Sequence, residues 1–131
     1  MPTTSYDYAL IRVVPRVDRG EFINVGVVLF CRTERFLGAL VEVDEERLRA
    51  IAPELDVDEV RRHVDSIPRL CAGAGPVGEM GQADAFHWLV APHSTIIQAS
   101  PVHCGTCEEP FAALKYLMDT MVLGRGEWAT T

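Results

Sequence analysis

The residues best equipped for chemistry fall in two clusters. The first is the stretch Phe86–His103, which holds three of the four histidines, one of the two tryptophans and no Asp, Glu, Lys or Arg. Within it, His87, Ser94, Thr95, Gln98 and His103 offer donors and acceptors among Phe86, Trp88, Val90, Ile96 and Ile97. An uncharged run of that length belongs largely inside, because burying Phe, Trp, Ile and Val is favourable whereas burying unpaired charge is costly. Its polar side chains then need partners, in a satisfied core network or in a pocket. The second cluster is Arg16, Arg19, Glu21 and Asn24, around a turn containing Pro15 and Gly20. An arginine fork at a turn can clamp an anion or pair with a partner's charge. The alternative is a set of solvated turn charges, with Asn24 capping an irregularity in the strand that follows.

Two further strings carry less. Gly73-Ala74-Gly75-Pro76-Val77-Gly78 matches the G-x-G-x-x-G of dinucleotide sites, but a helix precedes it where a strand is needed, and Pro76 removes one backbone N–H. No acid stands about twenty residues on to hold a ribose, so a plain loop is expected. Cys104-Gly105-Thr106-Cys107 is a C-x-x-C just before the last helix, open to a redox or zinc reading, or to two small buried thiols. His103 precedes the first cysteine, which rules out haem attachment. His63 lies beside the apolar stripe of an acidic helix and reads as a surface residue. No nucleophile elbow, zincin helix or phosphate loop is present.

The elements that must position these groups follow from periodicity. Tyr6–Val14 and Phe22–Cys31 read as an antiparallel hairpin closed by Pro15–Gly20, and Phe36–Val43 as a third strand of a meander. Phe22–Cys31 is almost continuously apolar, which suits a strand that is central or covered on both faces; at an edge it would be hazardous. Gly26 within it predicts a bulge or a close backbone approach. Asp44 and Asp56 are placed as N-caps, the first for a helix through Ala52 and the second for one whose stripe is Val57, Val60, Val64 and Ile67. Pro68 is expected to end or kink that helix. Gly73–Gly81 reads as a glycine-rich loop, Ala83–Ala91 as a short helix and Thr95–Ala99 as a fourth strand. Pro110 opens a final helix with Phe111, Leu114, Leu117, Met118, Met121 and Val122 on its apolar face and Gly124 as its stop. The last seven residues are expected to fray.

Composition sets the outer bounds. A chain of 131 residues is expected to form one domain, with an ordered core over about residues 5–124. The net charge of −7 argues against general binding to nucleic acid or anionic membranes, both of which rely on Lys and Arg. No apolar run approaches the ~20 residues of a membrane span, and the first residues lack the pattern of a secretory signal. A cytoplasmic protein with mostly reduced cysteines is the expectation.

Taken together, Ile11-Arg12-Val13-Val14-Pro15 and the string from Arg19 to Phe30 resemble the opening of the bacterial domain-of-unknown-function family 3037. Phe86–Pro92, Ser94–Gln98 and Ser100–His103 resemble its second signature. The family pattern has Arg where His93 stands and Thr where Cys104 stands, which implies that the C-x-x-C is peculiar to this chain. The resemblance gives no activity. It implies an accessory protein encoded beside HipA-like kinases, and so a protein partner.

The expected architecture is therefore α+β, an antiparallel sheet of about four strands (the meander plus a later strand) with helices mainly on one face. Two classes of function remain open. One is a non-catalytic accessory or protein-interaction domain. The other is a small enzyme or ligand-binding protein, its polar site built from the first hairpin and the 86–103 segment. No cofactor and no metal is expected. If the fourth strand joins the hairpin, Arg19, Glu21 and Asn24 can meet Ser94, Thr95, Gln98 and His103 in one shared site.

Overall fold

A computed structural model describes residues 2–94 and 96–125 of the chain. The sheet is built outward from β2, Ile23–Cys31, which is buried at every position except Asn24. Its run of Val, Leu, Ile and Phe leaves neither face fit for water. Antiparallel neighbours stand on both sides of it, β1 (Thr4–Val13) and β3 (Phe36–Val41), so the strand is central and the meander is as expected. The pairing shifts between Ile11↔Gly26 and Arg12↔Asn24, so Val25 is an extra residue and the strand carries a bulge. Gly26 also meets the close-approach expectation. A Cβ there would lie 2.7 Å from both the Leu40 carbonyl oxygen and Val41 Cγ1, with no room to exist.

β1 is shared. Its second edge pairs antiparallel with β4 (Ile97–Ala99) over residues 11–13 and with β5 (His103–Cys107) over residues 4–8. The result is an open five-stranded sheet in which β3, β2, β1 and β4 follow in order and β5 lies along the rest of β1. β5 is one strand more than the residues suggested. Its run His-Cys-Gly-Thr-Cys holds one β-branched residue and a strand-weakening glycine, and the backbone of β1 holds it in place. Ser100 joins the two short strands. Its N–H donates to the Leu10 carbonyl at 2.8 Å, and its Oγ accepts from the Leu10 N–H at 2.8 Å. The side chain thus supplies an acceptor where the ladder breaks ahead of Pro101, and Ser100 is accordingly buried.

The helices begin where their caps predict. Asp44 accepts from the Arg47 N–H to start α1 (Glu45–Ile51), and Asp56 accepts from the Glu59 N–H to start α2 (Val57–Cys71), each at 3.1 Å. Pro68 does not end α2, which runs three residues further to Cys71. A proline costs a helix its N–H and a clash one turn back, and here the stripe of Val57, Val60, Val64, Ile67 and Cys71 is buried throughout, which holds the last turn. The glycine-rich loop contains a four-residue helical turn, α3 (Gly75–Gly78), before α4 (Gln82–Val90). Glu109 caps α5 (Pro110–Leu117) by accepting from Phe111 and Ala112, and a π-helical turn continues it over Met118–Val122.

Two apolar layers close the sheet. Leu48, Val64 and Phe86, from α1, α2 and α4, pack on Ala9, Ile11, Val13, Val28 and Phe30, with the Phe30 and Phe86 rings 5.6 Å apart. On the opposite face Leu114, Leu117, Met118 and Val122 pack on Val27, Leu29 and Cys31. Each such side chain contributes roughly 1.5–3 kcal/mol on burial. Phe111 and Met121, expected on the buried face of the last helix, are instead 46% and 45% exposed. The wider winding of the π turn, marked by the Leu123 N–H donating to Met118 at 3.0 Å, buries Met118 and Val122 and leaves Met121 outside. The frayed end expected over the last seven residues lies, from residue 126 on, outside the described residues.

Candidate functional site

The first hairpin keeps its charges in local pairs. Arg16 bonds Asp18 at 2.8 Å and Arg19 bonds Glu21 at 2.7 Å, all four side chains well exposed, where such pairs are worth about 0–1 kcal/mol. Arg16 and Arg19 form one wall of an open hollow, and Ile51–Leu55, at the end of α1, form the other. In the 86–103 segment, His87 is exposed on α4, its ring 6.2 Å from that of Phe86. Ser94 accepts from the N–H groups of Ile96 and Ile97, both at 3.2 Å, and so shapes the entry to β4. Thr95 lies outside the described residues. His103 is exposed on β5 opposite Tyr8, with the two rings 5.5 Å apart.

Asn24 and Gln98 come together across the sheet, because both are paired with Arg12, one from each side. Paired residues share a face, so Asn24, Arg12 and Gln98 form one polar row. His103 stands opposite Tyr8, four residues from Arg12 along β1, or about 13 Å at the rise of a strand. It belongs to the other half of the edge.

A cavity of about 60 Å³ lies between α2, α4 and β4. Ile11, Val28, Ile67, Leu89 and Ile97 line it, and His63, Trp88 and His93 stand at its rim. The rings form a ladder: Trp88 to His93 at 4.2 Å and 19°, then His93 to His63 at 6.5 Å and 20°. Burial, and then the neighbouring His93, hold the His63 imidazole below its ordinary pKa. The cavity is well below the roughly 300–1,000 Å³ of a pocket for a drug-sized ligand. The next hollow shares His63 and Ile97 with it and adds Ser94, Ile96 and Glu54. Glu54 and Leu55 are in turn shared with the hollow at Arg16 and Arg19. Three hollows in series thus run from the 86–103 segment to the first hairpin. His63 is therefore more than a surface residue; the signal was its place one residue before Val64 on the buried stripe of α2.

Arg12 was also missed. Its guanidinium carbon sits 4.1 Å from the centroid of the Phe22 ring, and its Nε is buried with no hydrogen-bond partner. Asn24 donates to the Met121 carbonyl at 3.3 Å, while its Oδ1 is likewise buried and unpartnered. Each such atom costs about 1–3 kcal/mol. The visible signal was a single charge between Ile11 and Val13, in a strand whose other residues there are core.

The remaining strings take simple places. On a strand, positions three apart face opposite sides, so Cys104 and Cys107 diverge from β5 and do not form a vicinal pair; both are free thiols. Burial raises the pKa of Cys107, away from a reactive thiolate. Among the described residues no group of three or more His, Cys, Asp or Glu is arranged to hold a metal, and no helix is long and apolar enough to cross a membrane. Gly73 and Gly75 turn the chain from α2 into α3 with φ of 100° and 74°.

No curated protein and no solved structure matches the chain. A family model does: residues 8–122 match the one described as protein of unknown function DUF3037, and the chain belongs to that family.

Proposed function

We propose that this chain is a non-catalytic protein-interaction domain, and that it takes an extended segment of its partner along the series of hollows beside α2. The observation that carries this reading is the sharing of walls. His63 and Ile97 join the first hollow to the second, and Glu54 and Leu55 join the second to the third. Such a path is long and shallow, its first cavity too small for a whole small molecule, and it offers alternating apolar and polar contacts. Those are the needs of a bound polypeptide segment, whose side chains drop into successive pockets. Ile96, 39% exposed within the path, gives it an apolar anchor, and Arg19 at its far end gives it a planar fork. The resemblance makes a HipA-like kinase the first partner to try.

Affinity capture from the native host tests this, run in parallel with the unaltered chain, Ile96→Glu and Arg19→Ala, each shown by circular dichroism to be folded. A protein held by the unaltered chain and lost or strongly depleted with Ile96→Glu is the expected result. The same retained proteins at the same levels for all three chains would overturn the reading.

A further inference from the structure

Arg12 lies on the face of the sheet opposite the ring ladder, and among the described residues its surroundings are those of a receptor with one side left open. Exposed arginines go unpaired at little cost because water solvates them. Arg12 is half-buried, and its inner edge has lost water without gaining an acceptor, since Nε is buried and unpartnered. Among the described residues it makes no ion pair, whereas Arg61, the other half-buried arginine, is paired with Glu45 at 3.3 Å. Phe22, the residue just before β2, sets its ring against the guanidinium, whose central carbon lies 4.1 Å from the ring centroid. Asn24 and Gln98 flank it on either side. Phe22 and Met121 add apolar surface at the margin, each 45% exposed.

We propose that Arg12, seated on Phe22 between Asn24 and Gln98, binds a carboxylate carried on an apolar frame. A planar guanidinium matches a planar carboxylate through two parallel N–H···O bonds. One cation suits one negative charge, and the chain's net −7 disfavours more highly charged oxyanions. The exposed ring of Phe22 and the side chain of Met121 then cover the apolar part of the ligand. The same chemistry is presented by a free aromatic or aliphatic acid and by the C-terminal residue of a polypeptide.

The test is an NMR titration of the full-length ¹⁵N-labelled chain, following the Arg12 Nε–H and the side-chain amides of Asn24 and Gln98. The probes are phenylacetate, N-acetyl-glycyl-phenylalanine and inorganic phosphate, at constant ionic strength. Saturable shifts at Arg12 are expected with both carboxylates and not with phosphate. Tighter binding of phenylacetate assigns the site to free acids, and tighter binding of the peptide assigns it to polypeptide termini. Arg12→Gln should weaken the better probe about tenfold or more, and Arg12→Lys, which keeps the charge but loses the fork, by less. Both variants should remain folded, because the Arg12 side chain makes no hydrogen bond or ion pair among the described residues that its removal would orphan. Phosphate binding as tight as the carboxylates, no saturable shift with any probe, or unchanged binding in both variants would overturn the proposal. The hollows beside α2 lie across the sheet, so partner capture there stands or falls separately.

Discussion

On the face covered by α1, α2 and α4, the inward positions of β1 are Ala9, Ile11 and Val13, all buried. On the face covered by α5, the same strand runs from Tyr6, Tyr8 and Leu10 to Arg12, and the apolar layer stops. The difference lies in the reach of the cover. α2 has 15 residues, about 22 Å at 1.5 Å each. Among the described residues the other face has a single helix, 8 residues in α5 and 5 in its π turn, which ends over Asn24, whose side chain bonds the Met121 carbonyl. Beyond that point no helix among the described residues covers the second face, and a polar row occupies it. A short cover thus leaves room for a binding row, and a long cover leaves a sealed core with a small cavity at its rim.

The largest expected effect sharpens that contrast. Phe86→Ala removes a ring that is 2% exposed and stacked on Phe30, and should cost about 3–5 kcal/mol in urea denaturation. Leu114→Ala, the matching change under α5, should cost less, within about 2–5 kcal/mol. A larger loss at Leu114 would mean that the short cover, not the long one, holds the sheet. A middle-sized effect is expected where β4 gives way to β5. Ser100→Ala leaves the Leu10 N–H without its 2.8 Å acceptor and should cost about 1–3 kcal/mol, read from the same denaturation curves. No loss there would show that the two short strands hold the edge without the serine.

The smallest effect concerns pH. The folded pKa of His63 is lowered from 6.5, chiefly by burial, so the unfolded chain binds its proton more readily. Stability from this group is full above that ordinary value and is lost as pH falls toward the folded value. His63→Gln should therefore flatten the fall in thermal midpoint below about pH 6.5. Arg12→Gln, on the opposite face of the sheet, should leave it unchanged. Equal slopes in the unaltered chain and His63→Gln would remove the titrating group from the long-cover face.

Much of this arrangement was legible in the residues. The apolar run of β2, the spacing of Asp44 and Asp56 before their helices, and Gly26 inside a strand are local signals, and each led to the observed element. What was not legible depends on distant partners. β5 reads as a C-x-x-C because its strand state comes from pairing with Thr4–Tyr8 at the other end of the chain. His93 gains its place by stacking on Trp88 and His63, and Arg12 gains its isolation from where the last helix stops. Of the polar residues singled out in the 86–103 segment, Ser94 shapes the entry to β4 and Gln98 stands beside Arg12, whereas the rim of the cavity is formed by Trp88, His93 and His63.

β1 has a consequence for how the molecule is made. Its pairing with β2, and that of β2 with β3, needs only residues up to 41, but its second edge waits for residues 97–107, with Thr4 and Cys107 separated by 103 positions. At about 5–20 residues per second, that wait, the synthesis of residues 42–107, takes roughly 3–13 s. Throughout it, a three-stranded nascent sheet presents an open backbone edge along most of β1. Chains that stall or are truncated before residue 107 would keep that edge, which makes the synthesis of β4 and β5 the step that covers it.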